Sequence, residues 1–132
     1  MPYTVKRYPA SVYPEEAQAE CPEAMPEVEV LITAMQRQGP SPAGFAVKTL
    51  GKGKGGLWQV NLKVEKRQIR ILFAPYDSDI VWFRIHKKSS PQEQQRAYDL
   101  AMRRKREYER ARKQQEAHAR RQQVNGRTGP RH

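Results

Sequence analysis

The sequence predicts a small α+β domain in which a twisted antiparallel sheet carries N-terminal helices on one face and a basic C-terminal helix. Apolar side chains alternate with period two in three segments between residues 57 and 86, a pattern typical of strands with one buried face. An apolar stripe at helical spacing lies within residues 26–38, and a helix-capping motif begins at Ser90. The 132 residues are enough for one domain.

The N-terminal third of the chain predicts one strand and two helices. Residues 3–8 are rich in β-forming side chains and alternate weakly, so we expect a short strand. Residues 14–21 begin with a proline suited to a first helical turn and end before another proline, which predicts a short helix. Residues 26–38 predict a second helix that Gly39-Pro40 ends. Its apolar stripe consists of Val28, Leu31, Ile32 and Met35. We expect residues 41–56 to form a loop.

Residues 57–86 predict a three-stranded antiparallel meander. The strands are expected at residues 57–64, 68–74 and 80–86, with polar turns at 65–67 and 75–79. Strict alternation assigns each strand residue to one of two faces. The face expected to pack on the core holds Trp58, Val60, Leu62, Val64, Ile69, Ile71, Phe73, Val81, Phe83 and Ile85. The opposite face is expected to gather Asn61, Lys63, Arg70, Trp82, Arg84 and His86.

The last third of the chain predicts a helix that begins at Pro91. Ser90-Pro91-Gln92-Glu93 forms a capping box with proline at the first helical position. Four consecutive basic residues at 103–106 make this helix strongly basic. Beyond residue 114 only three apolar residues remain, which is too little burial to offset the ordering of the chain. We therefore expect a folded domain over residues 1–113 and a basic, disordered tail over residues 114–132.

Charge and composition narrow the classes of function. Lys and Arg number 25 against 14 Asp and Glu, and a formal charge of +11 favours an anionic partner such as nucleic acid. Residues 1–38 carry three basic and six acidic side chains, whereas residues 103–132 carry eleven and three. One cysteine and three histidines argue against a disulfide framework or a zinc site. No segment approaches the roughly 20 apolar residues that span a membrane, and none resembles an export signal. We expect a cytoplasmic protein that uses no metal or other cofactor and does not contact a membrane.

The polar face of the predicted meander is the sharpest candidate for a functional site. Arg and Lys side chains can hold a phosphodiester and stabilise the extra charge that it gains in a pentavalent transition state. His86 belongs to the side-chain type that exchanges protons near neutral pH. The alternative is that these basic residues only keep an exposed sheet face soluble. For Trp82, stacking on a base and burial beneath the last helix both stay open.

Further basic residues are candidates for contacts with phosphate. Lys52 and Lys54 alternate with glycines, but the segment lacks the spacing and the following helix of a phosphate-binding P-loop. We therefore interpret it as a mobile basic loop. The remaining candidates are Lys87, Lys88, Arg103 and Arg104. These side chains are also compatible with simple hydration, and no DNA-binding helix-turn-helix pattern accompanies them.

Several landmarks between residues 56 and 109 recur together in one known family. They are Gly56-Leu57-Trp58 at the opening of a strand, Arg67 and Arg70 before Ile71-Leu72-Phe73, Lys87-Lys88 after the third strand, and the Pro91 helix with Ala97 and Arg103. With these landmarks in this order, the chain resembles the RelE/HigB superfamily of toxins from toxin–antitoxin systems, especially its phage-derived, host-killing-like branch. The resemblance implies a RelE-like fold with helices on one sheet face and an exposed basic groove on the other.

The resemblance also implies a type II toxin that acts as a metal-independent endoribonuclease on messenger RNA, commonly on the ribosome, and so inhibits translation and growth. Attack of a ribose 2′-hydroxyl on the adjacent phosphate would give a 2′,3′-cyclic phosphate and a 5′-hydroxyl, and DNA would be spared. By position, Arg70 would stabilise the phosphorane, Arg67 would anchor phosphate, and His86 would be the general acid. Lys63 and Lys87 would add positive charge. The implied partners are messenger RNA, the ribosome and a cognate antitoxin, a helix-turn-helix protein encoded next to the toxin.

Two other classes of function stay open at the level of sequence. A non-catalytic RNA- or ribosome-binding protein on the same scaffold would use the basic surface only electrostatically. It would bind RNA with similar salt dependence but would leave no new product ends. A DNA-binding accessory protein of a mobile element is the other class, and a preference for RNA over DNA of equal length would argue against it.

Overall fold

Eight regular elements make up the described part of the chain. The structure is a computed structural model that describes residues 2–128, with side chains described as far as residue 122. In chain order the elements are β1 (Thr4–Arg7), α1 (Glu15–Glu20), α2 (Met25–Gln38), β2 (Ala46–Thr49), β3 (Trp58–Val64), β4 (Arg67–Tyr76), β5 (Asp79–Lys87) and α3 (Pro91–Thr128). Short 3-10 turns occur at Ala10–Val12, Pro22–Ala24 and Lys52–Lys54. The predicted α+β class is confirmed.

The five strands form one sheet in the order β1-β5-β4-β3-β2. Antiparallel pairing of β3 with β4 and of β4 with β5 confirms the predicted meander. At one edge β1 runs parallel to β5, and at the other β2 pairs antiparallel with β3. The prediction of a loop over residues 41–56 is therefore wrong for the four residues that form β2. Only four residues pair there, and the hydrogen bonds that make them a strand come from β3 rather than from a local pattern.

A β-bulge in β5 exchanges the two sheet faces toward which the side chains of this strand point. Leu72 pairs with Arg84 and Phe73 pairs with Trp82, so Phe83 is the extra residue in β5. One extra residue inverts the alternation of side chains beyond it. The prediction that Trp82 shares a face with Arg84 and His86 is therefore wrong, as is the grouping of Phe83 with Ile85. Trp82 and Ile85 belong to one buried cluster and Phe83 to the other.

Apolar side chains cover both faces of the sheet. On one face α1 and α2 bury residues such as Ala17, Leu31 and Met35 against the strands. On the other face α3 places Ala97 and Ala101 in a cluster with strand residues. The strand residues of that second cluster are Leu57, Leu72, Ala74, Val81 and Phe83. The basic groove that the resemblance implies on this face is thus covered by α3 over its apolar middle, and its polar residues lie toward the ends of the strands.

Helix α3 begins at Pro91 as predicted, and the backbone N–H of Glu93 donates to Ser90 Oγ at 3.2 Å. It continues for 38 residues to Thr128, which at 1.5 Å per residue is about 57 Å. Residues 114–128, for which the sequence predicts a disordered tail, are described as a continuation of this helix. Strong helix formers and ion pairs of Glu116 with Arg112 and Arg120, at 3.7 and 4.0 Å, support these turns without burial. The rest of the predicted tail, 129–132, lies outside the described residues, and a functional division at residue 114 stays a prediction.

Candidate nucleic-acid interface

A basic cleft lies at the end of the sheet where the β3–β4 turn meets the end of β5. It encloses about 410 Å³ and is lined by Lys66, Arg67, Gln68, Lys87 and Lys88. Glu65 has φ of 58°, which lets the chain reverse in two residues and pairs Arg67 with Val64. The backbone N–H of Lys88 donates to the Gln68 carbonyl at 2.8 Å. The tight turn and this hydrogen bond bring four basic side chains to one place.

The basic cleft carries more positive charge than its neighbours compensate. Arg67 contacts Glu23 at 3.1 Å, and its side chain stays 57% exposed. A backbone hydrogen bond lowers the pKa of Glu23, and the charges of Lys87 and Arg67 lower it further. Within the described residues, no ion pair involves the three lysines of the cleft. Exposed cations with one acidic neighbour suit a phosphate ligand.

A second cavity, the edge cavity, opens beside β5 between α1 and the first turns of α3. It encloses about 330 Å³ and is lined by Glu20, Arg84, His86, Lys87, Ser89, Glu93, Arg96 and Ala97. Strand β1 pairs with β5 only as far as Trp82, so the remainder of β5 is left for side chains of the two helices. Lys87 lines both cavities. The basic cleft and the edge cavity are therefore neighbours that share one lysine.

His86 is the buried titratable group of the edge cavity. It is 3% exposed, and its Nδ1 lies 3.2 Å from the carbonyl oxygen of Lys87. Burial lowers the pKa of His86, and the charges of Arg84 and Arg70 lower it further. His86 Nε2 is buried and has no hydrogen-bond partner among the described residues. Burial therefore favours the uncharged ring, of which one nitrogen has no partner among the described residues.

Arg70 lies opposite His86 in the register of β4 and β5, beneath the first turns of α3. It donates to Gln94 Oε1 at 2.5 Å and to the Tyr98 hydroxyl at 3.4 Å. Lys63 is exposed on β3 and pairs in register with Gln68 of the basic cleft. The five predicted catalytic residues thus share one end of the sheet, but they divide between its faces. Arg70, His86 and Lys63 lie on the α3 side, whereas Arg67 and Lys87 pair with residues of the opposite core.

Several of the predicted RNA-binding residues contact other parts of the fold, beginning with Arg84, Arg104 and Trp82. Glu16 accepts hydrogen bonds from Arg84 at 3.0 Å and from Arg104 at 2.8 Å, and Arg104 also donates to the Phe83 carbonyl at 2.8 Å. Burial alone would raise the pKa of Glu16, but hydrogen bonds from these arginines and from Ser11 outweigh it and lower the pKa. Trp82 is fully buried, so the prediction that it stacks on a base is wrong. The bulge explains this burial, because it turns the Trp82 side chain toward the core that α1 and α2 cover.

The glycine-rich segment is a packed turn rather than the mobile loop that the sequence predicts. Lys52–Lys54 forms a 3-10 turn, and Lys54 Nζ donates to Gln95 Oε1 at 3.0 Å and lies 4.7 Å from the Tyr98 ring centroid. Lys52 is exposed, and so is Arg103, which lies 3.7 Å from Glu107. Of the predicted RNA-binding residues, Lys88 alone lines the basic cleft, and Arg84 lines the edge cavity.

Sequence reasoning missed Lys66 and Arg96, which line the two cavities. Lys66 was assigned only to a turn, and Arg96 lies in a helix with many basic residues, so neither had a distinguishing signal. Among the described residues, no three His, Cys, Asp or Glu side chains are grouped as a metal site requires. In the same part of the chain, no helix is long and apolar enough to cross a bilayer. Comparisons with protein-family models, curated proteins and solved structures found no match to this chain.

Proposed function

We propose that this protein is a metal-independent endoribonuclease that cleaves messenger RNA, the toxin of a type II toxin–antitoxin system of the RelE/HigB kind. The observation that carries the proposal is the junction of the basic cleft and the edge cavity at Lys87. Arg67, Lys87 and His86, three of the residues that the resemblance implies in catalysis, line these two adjoining spaces. Exposed cations around them suit a phosphodiester backbone, whose binding is dominated by charge.

The reaction needs stabilisation of negative charge more than any other assistance. The 2′-oxygen of one ribose forms a bond to the adjacent phosphorus, and the bond from phosphorus to the 5′-oxygen of the next nucleotide breaks. The products are a 2′,3′-cyclic phosphate and a 5′-hydroxyl end. Arg67 and Lys87 are available to stabilise the pentavalent phosphorane, because positive charge aimed at a developing oxyanion lowers the barrier. DNA lacks the attacking hydroxyl and is spared.

The role proposed for Arg70 depends on its hydrogen bonds to α3. Its guanidinium is held by Gln94 and Tyr98 of α3, so contact with a phosphate requires that these hydrogen bonds be exchanged for bonds to the substrate. The charge-assisted bonds to a phosphodiester are stronger than neutral ones. RNA binding therefore offers a driving force for that exchange.

The proposed biological setting is the cytoplasm, where the enzyme acts on messenger RNA, with the ribosome as the site of cutting, and so arrests translation and growth. A cognate antitoxin, a helix-turn-helix protein encoded next door, would neutralise the toxin with acidic or amphipathic segments. The basic cleft is the surface best suited to such segments, since Lys66, Lys87 and Lys88 form no ion pairs within the described residues.

The test is induction of the wild type and of Arg67→Gln/Lys87→Gln in bacteria, with growth followed and RNA 5′ ends mapped. The matched control is Arg110→Gln/Lys113→Gln, which removes the same charge from exposed positions of α3. We expect arrest and new 5′-hydroxyl ends within coding regions for the wild type and the control, and neither for the cleft variant. Cutting of free RNA by the purified wild type in EDTA would show that neither a metal ion nor the ribosome is required. Intact transcripts with soluble, folded wild type would refute the proposal.

The second candidate is a non-catalytic RNA- or ribosome-binding protein. It is favoured by the position of α3, which holds Arg70, and by Glu16, which neutralises Arg84 and Arg104. In the same experiment such a protein would bind RNA through the basic cleft and leave every transcript intact. A preference for RNA over DNA of the same length would argue against the DNA-binding class.

A further inference from the structure

The outward side of α2 carries an apolar side chain that the rest of the described chain leaves uncovered. Val30 is 61% exposed, whereas Val28, Leu31 and Met35 of the same helix are buried in the core. Val30 lines two adjoining depressions, one of about 420 Å³ and one of about 360 Å³. A single exposed valine is common on protein surfaces, so the surroundings of Val30 decide whether this face binds anything.

The larger depression has the outline of a hole that receives a side chain from another helix. Its lining residues are Glu29, Val30, Thr33, Ala34, Arg37 and Gln38. Positions i, i+3, i+4 and i+7 of a helix surround a diamond on its surface, and packed helices insert one side chain into each such diamond. Residues 30, 33, 34 and 37 form this diamond. The short side chains of Thr33 and Ala34 leave it open, so another helix can approach α2 closely.

Glu27 and Arg37 mark the two ends of this face with opposite charges, ten residues or about 15 Å apart along the helix. Both side chains are exposed, and neither forms an ion pair among the side chains that the structure describes. Of the neighbouring charges, Glu29 accepts a hydrogen bond from the Tyr13 hydroxyl. Lys63 lines the smaller depression together with Glu27. A helix that fits this face should therefore present a basic residue to Glu27, an acidic residue to Arg37 and an apolar side chain between them.

A second copy of α2, running antiparallel, meets all three requirements. A two-fold axis beside residue 32 places Val30 opposite Ala34 of the second copy, because residues 30 and 34 are equally far from 32. The same axis places Glu27 opposite Arg37 of the second copy, so that each Val30 enters the diamond of the other copy between two ion pairs. A parallel arrangement would set Glu27 against Glu27 and Arg37 against Arg37, and like charges repel. The face is therefore complementary to itself in one direction only.

The distribution of charge also favours this face for self-association. The chain carries a formal charge of +11, so two copies repel each other over most of their surface. Residues 1–38 are the exception, with three basic and six acidic side chains. Helix α2 lies in this segment and holds Glu27, Glu29 and one basic residue, Arg37. Two copies that meet through α2 therefore bring together the part of the chain with the least positive charge.

We propose that two copies of this protein form a symmetric dimer through α2, with Val30 of each copy in the diamond of the other and with Glu27 paired to Arg37 across the axis. Contacts of this size belong to weak, reversible interfaces, so we expect a dissociation constant of about 10 to 100 µM. None of the contact residues lines the basic cleft or the edge cavity. The dimer is therefore independent of the proposed function, and a failure of either leaves the other standing.

The first test is sedimentation velocity of the full-length wild type at concentrations from roughly 2 to 200 µM, which bracket this range. We expect monomer at the low end and mostly dimer at the high end. Val30→Asp places a carboxylate in each half of the apolar contact and should weaken the dimer at least about 30-fold. The matched control Ala19→Asp, at an exposed position of α1, should leave it unchanged. A wild type that stays monomeric, or a dimer that Val30→Asp leaves intact, would overturn the proposal.

Exchange of the two charges tests the antiparallel register. Glu27→Arg and Arg37→Glu each set two pairs of like charges across the axis, and each should weaken the dimer about tenfold. Glu27→Arg/Arg37→Glu restores both ion pairs with their signs exchanged and should return the affinity to within about threefold of the wild type. Glu15→Arg makes the same change of net charge as Glu27→Arg at an exposed site on α1 and should leave the dimer unaltered. Losses that add up in the double variant would overturn the proposal, whether or not Val30→Asp folds.

Discussion

At the scale of single residues, Glu16 connects three elements. Its carboxylate accepts hydrogen bonds from Arg84 of β5 and Arg104 of α3, and these bonds lower the pKa of Glu16 despite the opposing effect of burial. Glu16→Gln leaves both guanidiniums with a neutral acceptor, so we expect the free energy of unfolding at pH 7 to fall by about 2 kcal/mol. Urea denaturation measures it, with the exposed neighbour Glu15→Gln as the control.

The stability that Glu16 provides should depend on pH in a definite direction. A carboxylate whose pKa is lower in the folded protein stabilises the fold above its unfolded pKa, near 4.5. That contribution is lost as the pH falls through the folded pKa. The difference between wild type and Glu16→Gln should therefore be full at pH 7 and shrink below pH 4.5. A difference that persists unchanged at pH 3 would contradict the ion-pair explanation.

Arg70 can be tested for chemistry separately from its structural contacts. Its guanidinium donates to Gln94 and Tyr98, so Arg70→Ala removes both a charge and a connection between β4 and α3. Gln94→Ala removes the stronger of these hydrogen bonds and keeps the charge. If Arg70 stabilises the phosphorane, Arg70→Ala should lower the rate of RNA cleavage at least 100-fold, whereas Gln94→Ala should retain the wild-type rate or exceed it. Equal losses in the two variants would show that Arg70 only fastens α3 to the sheet.

At the scale of elements, strands with an alternating sequence pattern of their own were predictable. A strand that is defined only by its pairing with a neighbouring strand was not. The meander and the start of α3 follow from alternation and a capping box, which are local signals. Strand β2 depends on β3 for its definition, and the bulge at Phe83 leaves no mark in a sequence that alternates through it. The error in the face of Trp82 follows from that bulge, because one extra residue exchanges the two faces of a strand.

Several residues of the candidate site could be predicted from the sequence, but the contacts that they make in the fold could not. Arg67, His86 and Lys87 adjoin the two cavities, as their places at the ends of adjacent strands suggest. The pairing of Arg84 and Arg104 with Glu16 joins residues 68 and 88 positions apart. Sequence pattern carries no information on such distant contacts, so neutralised and free arginines look alike before the chain is folded.

The glycine-rich turn gives a prediction at the same scale. Gly55 has φ of 64°, and a Cβ there would lie 3.1 Å from Met102 Cγ of α3, whereas nothing lies within 4 Å of a Cβ at Gly53. Gly55→Ala should therefore lower the free energy of unfolding by about 1 kcal/mol, because alanine resists a positive φ. Gly53→Ala is the matched control and should change it little. Thermal denaturation compares the two, and equal stability would mean that the turn is free of α3 in solution.

At the scale of the whole molecule, charge is separated from end to end of the chain. The acidic side chains of residues 1–38 include Glu16, Glu20 and Glu23, which compensate Arg84, Arg104 and Arg67 within the folded domain. The excess of positive charge remains in the basic cleft and along α3. The molecule therefore has two basic surfaces, the compact cleft and a long helix. Under the proposed function we expect the cleft to act in the chemistry and the distal helix to add only electrostatic attraction.

This division predicts separate effects on affinity and on cleavage. Arg120→Gln/Arg121→Gln removes two exposed charges from distal α3, and each lost phosphate contact should lower the slope of log affinity against log salt by about 0.7 for single-stranded RNA. The rate of cleavage at saturating RNA should stay unchanged, because neither residue lines the basic cleft or the edge cavity. The control Arg37→Gln removes a charge from α2 and should leave the slope unaltered. If Arg37→Gln lowers the slope as much per charge as the α3 variant, net charge alone governs binding, and the extended helix has no role of its own.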